Sequence, residues 1–201
     1  MTSNAETPSA QPAAQLWNLP NVLTMLRVVL VPVFVVLLWQ DSTAARLGAL
    51  GVFIAAAITD KLDGSIARSR GIVTNFGKIA DPFADKLLTG SAFVMLSLLG
   101  VIPWWVTIVI LVREIGITIL RFVMVRRSVM AASNGGKLKT VLQVVAICLL
   151  LLSATELFGP PLGDVVLVTG LVVVYAAAAV TVVTGLDYCW RAWRIVHDHQ
   201  P

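Results

Sequence analysis

The sequence predicts an all-α integral membrane protein of six transmembrane helices with both termini cytosolic, and three observations predict it. Of 201 residues, 58% are hydrophobic and 13% charged, against about 25% charged in ordinary soluble domains. No soluble interior of this size hides so much apolar surface, so the bilayer must act as part of the solvent. Six apolar segments can be marked, and the lysines and arginines gather in alternate connections between them.

The segments run roughly Val22–Trp39, Ala44–Ala67, Phe83–Ile102, Trp104–Val125, Val141–Ala154 and Val165–Thr184. Most approach the ~20 residues that cross a bilayer as helix. The fifth is short unless it extends back through Lys139. Tryptophans 17, 39, 104, 105, 190 and 193 fall at or just beyond segment ends, where an amphipathic indole prefers to sit. No internal repeat is visible.

Orientation follows from charge. The second-to-third connection and its flanks hold Lys61, Arg68, Arg70, Lys78 and Lys86. The fourth-to-fifth holds Arg126, Arg127, Lys137 and Lys139, and the C-terminus adds Arg191 and Arg194. The opposite loops carry Arg46 beside Asp41, Glu156 and Asp164. By the positive-inside rule both termini are cytosolic. Residues 1–15 hold one charge, Glu6, among Ser, Ala, Pro and Gln. This stretch lacks a basic n-region and reads as a disordered cytosolic tail, leaving 16–201 as the membrane domain.

The formal charge of +4 comes without basic runs interleaved with aromatics, so nucleic acid is not an expected partner. Cys148 and Cys189 lack metal-ligand spacing and lie in or beside apolar segments. They read as buried thiols.

The informative stretch is Asp60-Lys-Leu-Asp63-Gly64-Ser-Ile-Ala67-Arg68, followed by Gly77-Lys-Ile-Ala-Asp81-Pro-Phe-Ala-Asp85. Asp63, Gly64 and Ala67 follow Asp60 by three, four and seven residues, one stripe of a helix. Gly77, Asp81 and Asp85 repeat every four on the next helix, which Pro82 should bend or begin. Asp60 lies about 24 Å from Ala44 at ~1.5 Å per residue, near the inner edge of the hydrocarbon. Asp81 and Asp85 enter from the same side, so four carboxylates converge at one depth.

Four ionised carboxylates packed together raise one another's pKa, and desolvation adds to that cost. Two divalent cations neutralise them, and oxygen-only ligation suits Mg²⁺ or Mn²⁺. Such a pair stabilises both the attacking and leaving oxygens in phosphoryl displacement. Gly64 and Ala67 leave room for a flat group against the helix, and Arg68 can reach a phosphate bidentately. A ring of interfacial salt bridges or a cation pathway lined by aspartates is equally open to the spacing alone. A transporter would carry midplane acids in repeated broken helices, and neither feature is visible.

At these residues the chain resembles the CDP-alcohol phosphotransferase family. The family pattern is D-x2-D-G-x2-A-R-x8-G-x3-D-x3-D, and residues 60–85 match all eight fixed positions. The resemblance implies a six-helix membrane fold, a homodimer, and two divalent metals, Mg²⁺ or Mn²⁺, held by Asp60, Asp63, Asp81 and Asp85. Asp85 is also the implied general base. Gly64, Ala67, Arg68 and Gly77 would lie at the cytidine and diphosphate of the donor, CDP-diacylglycerol, with Thr74 a further donor contact. A site at the cytosolic face of the membrane suits a donor with acyl tails in lipid and a nucleotide in water. The acceptor hydroxyl attacks the phosphorus carrying the lipid, and CMP leaves.

Further motifs resemble a branch of that family whose acceptor is sn-glycerol 3-phosphate. These are Asn18-Leu-Pro-Asn21-Val-Leu-Thr24-Met-Leu-Arg27, Arg113-Glu114 with Arg121, and Gly136-Lys137-Leu-Lys139-Thr140. Asn21, Thr24 and Arg27 read as ordinary first-span polar residues, or, for Asn21 and Thr24, as donor contacts. Arg113, Arg121, Lys137 and Lys139 form a cationic set suited to an acceptor phosphate; their plainer reading is packing salt bridges and positive-inside anchors. Rival acceptors within the family are phosphatidylglycerol and inositol phosphate.

Overall fold

The computed structural model describes residues 19–40, 42–70, 75–124, 134–153 and 157–197. Within its helices, the side chains at 19–21, 60–70, 75–82, 85, 121–124, 134–137 and 195–197 lie outside the description. Six helices follow one another: α1 (Leu19–Trp39), α2 (Thr43–Arg70), α3 (Asn75–Leu98), α4 (Trp104–Met124), α5 (Asn134–Ser153) and α6 (Leu162–His197).

Local chemistry sets most of the visible ends. Ser42 caps α2: its Oγ accepts the Ala45 N–H at 3.2 Å while its carbonyl accepts Arg46 N–H at 3.0 Å, satisfying donors that have no partner inside a first turn. At the far end of α3, Gly100 takes φ +71°. Val101 N–H reaches the Leu96 carbonyl at 2.9 Å and Gly100 N–H the Ser97 carbonyl at 3.1 Å. This is a Schellman ending, with glycine where a side chain would be strained. It stops α3 at Leu98, four residues before the expected Ile102, although Val101 and Ile102 continue the apolar run.

Two further ends differ from expectation. Helix α5 begins at Asn134, taking Lys137 and Lys139 into its first turns and giving the short fifth segment a full crossing. Helix α6 runs on from Thr184 to His197. Gly185 alone does not stop a helix whose neighbours still propagate it, so Trp190 and Trp193 lie within α6, stacked with centroids 5.5 Å apart. Helix α3 continues through Pro82, which withholds one donor from its ladder.

Helix contacts close a ring in the order α1, α2, α5, α6, α4, α3, and α3 also meets α2 and α5 across the middle. The core is Phe34 and Leu38 of α1, Phe53 of α2, Phe93 and Leu96 of α3, Val106 and Ile110 of α4, Ile147, Leu150 and Leu151 of α5 and Val174 of α6. Ser97 and Thr107 hydrogen-bond at 2.7 Å inside it, and Thr107 also reaches the Phe93 carbonyl at 3.1 Å, joining α3 to α4 without a stranded polar group.

The outside of the bundle is apolar as well. On α4, Ile108, Val112, Ile115 and Ile119 form an outward stripe, and on α6 Val165, Val168, Val172, Val183 and Leu186 are exposed. Val112 is 66% and Leu186 67% exposed. So continuous an apolar exterior is stable in lipid and not in water. Val22–Trp39 and Leu162–Arg194 contain apolar windows long enough to cross a bilayer, and α2, α3 and α5 carry shorter ones at Thr43–Thr59, Lys86–Leu98 and Leu138–Ser153. The charged remainders of those three helices all lie at one end of the bundle, the end away from the α3–α4 turn. Cys148 is half-buried, but Cys189 is exposed on α6, a correction to the expectation of two buried thiols. An exposed position facing lipid looks apolar in sequence and cannot be told there from a core position.

Candidate active site

The polar end of the bundle is built by all six helices. On α2, Asp60, Asp63, Gly64, Ala67 and Arg68 fall in one uninterrupted helix, so the spacing of three, four and seven makes them a stripe. On α3, Gly77, Asp81 and Asp85 do the same. The two helices are in contact. The side chains of these residues lie outside the description, as do those of Asn21, Arg121 and Lys137; Thr74 lies outside the described residues altogether.

The described polar side chains of α3 begin at Lys86, one residue past Asp85. Lys86, next to Asp85, extends its Nζ to Glu114 of α4, donating to Oε2 at 3.1 Å and to the Glu114 carbonyl at 2.9 Å. Lys139 of α5 donates to Glu114 Oε1. Arg113 donates from Nη1 to the same Oε1 at 3.2 Å and from Nη2 to Thr184 Oγ1 of α6 at 3.1 Å. Thr184 in turn donates to the Val180 carbonyl at 2.7 Å, and Thr118 donates to the Glu114 carbonyl at 2.7 Å. One carboxylate thus holds three cations from three helices. Lys139 is only 6% exposed, a burial that an ammonium tolerates only when paired.

Packing gives the cluster its room. A Cβ built on Gly185 would stand 3.0 Å from Arg113 Cγ, so the absent side chain is what lets the arginine stem lie across α6. One turn deeper, Gln143 Nε2 on α5 and Thr181 Oγ1 on α6 are buried without a hydrogen-bond partner among the described residues. On α1, Thr24 and Arg27 are both 1% exposed. Arg27 is therefore interior, not an outward-facing residue of the first span.

Of the expected acceptor set, the structure brings Arg113 and Lys139 together around Glu114. Lys86 and Thr184 join them, and neither was an expected site residue. Lys86 had a signal, its place directly after Asp85. Thr184 had none, being one threonine at the end of an apolar run.

Comparison with known proteins agrees with the motif. The CDP-alcohol phosphatidyltransferase family matches residues 17–185. A probable phosphatidylglycerophosphate synthase of Mycobacterium tuberculosis is 47% identical over 197 residues, covering 96% of this chain and 90% of that protein. The CDP-diacylglycerol–glycerol-3-phosphate 3-phosphatidyltransferase of Bacillus subtilis is 37% identical over 193 residues, covering 89% and 96%. A CMP-forming cardiolipin synthase of Oryza sativa is 34% identical over 200 residues, covering 92% of this chain and 60% of its own length. With six apolar-faced helices, a complete eight-position aspartate motif and a match over most of its length, this chain belongs to the CDP-alcohol phosphatidyltransferase family.

Proposed function

We propose that this protein transfers the phosphatidyl group of CDP-diacylglycerol to sn-glycerol 3-phosphate, releasing CMP and forming phosphatidylglycerophosphate. The similarity at 47% and 37% identity over nearly the whole chain, to proteins named for that product or reaction, carries the reading. The cation-rich layer beside Asp85 supports it, because a small phosphorylated alcohol is a dianion and gains from several charge-assisted hydrogen bonds. A second reading, transfer to phosphatidylglycerol, is favoured by the rice relative at 34% identity. The larger identity of the first two and their fuller mutual coverage rank it second.

In this reading Asp85 accepts the proton of the acceptor's primary hydroxyl. The resulting oxygen attacks the phosphorus that carries diacylglycerol, the bond from that phosphorus to the CMP oxygen breaks, and CMP departs. Arg113, Lys139, Arg121 and Lys137 hold the acceptor phosphate, while Asn21, Thr24, Gly64, Ala67, Arg68, Thr74 and Gly77 serve the donor. Asp60, Asp63, Asp81 and Asp85, four carboxylates on two touching helices, are a hard all-oxygen donor set that fits two divalent cations, Mg²⁺ or Mn²⁺. When bound, those ions supply charge neutralisation at the transferring phosphoryl group. The protein acts as a multi-pass homodimer of the cytoplasmic membrane with this face toward the cytosol, as the Lys/Arg distribution favours. Under that orientation single cysteines at Ser42 and Gly163 label from outside and one at Ser69 does not; the reverse pattern would invert it.

The deciding assay is CMP release by purified protein given CDP-diacylglycerol and one acceptor at a time. Turnover with glycerol 3-phosphate should exceed that with phosphatidylglycerol or inositol 1-phosphate at least tenfold. A preference for phosphatidylglycerol would replace the acceptor assignment and leave the family standing.

A further inference from the structure

Glu114 is the carboxylate that pairs with the described cations of α3, α4 and α5, and its described charged partners are all positive. Lys86 arrives from α3, Arg113 from its own helix α4 and Lys139 from α5, all within ion-pair reach of its two oxygens. Among these four described groups, three cations against one carboxylate leave two net positive charges, the charge that a phosphate dianion neutralises. Each cation is also fixed by more than attraction. Lys86 is held by the Glu114 backbone carbonyl as well, and Arg113 is pinned at its other nitrogen by Thr184. The guanidinium and both ammonium groups are drawn in to surround one point, where unbalanced they would repel one another in a medium of low dielectric.

We infer that Glu114 is a positioning residue for the acceptor phosphate: by gathering Lys86, Arg113 and Lys139 it sets the spacing of the groups that receive a phosphoryl dianion and tunes their net charge to match it. This rests on the acceptor reading above and extends it to two residues, Glu114 and Lys86. Glu114 itself repels a phosphate, so its part is exerted through the cations and not by contact. Lys86 follows Asp85 directly on α3, so one anchor of this cluster shares a helical turn with the proposed base; consecutive Cα atoms are ~3.8 Å apart. The donor diphosphate is the other phosphoryl group at hand, and the kinetics of the two substrates separate them.

The sign of one effect decides the matter. Glu114→Gln keeps the shape and adds one net positive charge. If charge alone mattered, the KM for glycerol 3-phosphate would fall. If Glu114 positions the cations, that KM rises at least tenfold, the KM for CDP-diacylglycerol stays within threefold, and Glu114→Asp recovers part of the loss. Thr184→Val, which removes only the anchor of Arg113, should raise the same KM about threefold. An unchanged or lower KM for glycerol 3-phosphate in Glu114→Gln overturns the inference, as does an equal rise for both substrates. Should that variant fail to accumulate in the membrane, Glu114→Asp and Thr184→Val carry the test, and an unchanged KM in both overturns it. A wild-type protein that does not turn over glycerol 3-phosphate overturns the acceptor reading and this inference with it. Wild-type turnover with an unaltered variant overturns the inference alone.

Discussion

The two ends of the bundle are built on opposite principles. Toward the α3–α4 turn, the interior is Phe34, Leu38, Phe53, Phe93, Leu96, Ile147, Leu150 and Leu151, all nearly inaccessible. Among the described residues, the buried polar side chains beside them are Ser97 and Thr107, a closed pair. Toward the other end the interior holds Thr24, Arg27, Lys139 and Gln143, with Lys86, Arg113 and Glu114 half-open beside them. The first half is held by packing, where side-chain volume and shape decide stability. The second half keeps charges inside, which costs stability unless each is paired, and retains more cations than its described carboxylate can neutralise. Ionisable groups kept inside an apolar protein are costly, so this end is where a functional site is to be sought.

That contrast can be broken from either side. The largest effect should come from Asp85→Asn, which removes the proposed base and one oxygen ligand together; turnover should fall by roughly three orders of magnitude or more, with the thermal midpoint in detergent little changed. Chelation of divalent cations should abolish the wild-type rate likewise, and full activity in chelator would remove the metals from the reading. Lys139→Ala comes next. It should weaken use of glycerol 3-phosphate about tenfold while donor KM holds, since each charge-assisted hydrogen bond contributes roughly 1.5–3 kcal/mol. The smallest kinetic effect belongs to the packed half. Phe53→Ala should destabilise the protein by about 3 kcal/mol, visible as a lower unfolding midpoint, yet leave both KM values of the folded fraction within twofold. If Phe53→Ala shifts acceptor KM as strongly as Lys139→Ala, the two ends are not separable.

Much of this division is legible in the sequence, and the reasons are physical. Lipid solvent forces apolar runs of helical length, so all six helices are marked by composition. The aspartates are scarce enough in such runs that their spacing stands out. The remainder depends on which helices touch. Lys86 reads as one more positive-inside residue until α3 is laid against α4 and its ammonium reaches Glu114. Thr184 reads as a span end until α6 crosses Arg113 at Gly185. Arg27 reads as a first-span polar residue, and only the ring of helices makes it interior. The end of α3 at Leu98 departs from the apolar run for a different reason, since glycine at a C-cap outweighs the apolar residues that follow it.

The shared carboxylate also gives the chain an order of assembly. Lys86 and Glu114 lie on consecutive helices, so they can meet as soon as four helices have entered the bilayer. The four helices then already hold Glu114 against Lys86 and its own neighbour Arg113, so none of these charges stands isolated in hydrocarbon, where it would be expensive. Lys139 and Thr184 come later, on α5 and α6, which pack against one another and close the ring at α2 and α4. Glu114 is thus complete as an ion-pair centre only when the α5–α6 hairpin packs against the first four helices. A chain truncated after α4 would be expected to insert yet stay unsealed, its carboxylate lacking the Lys139 ammonium that the complete protein supplies.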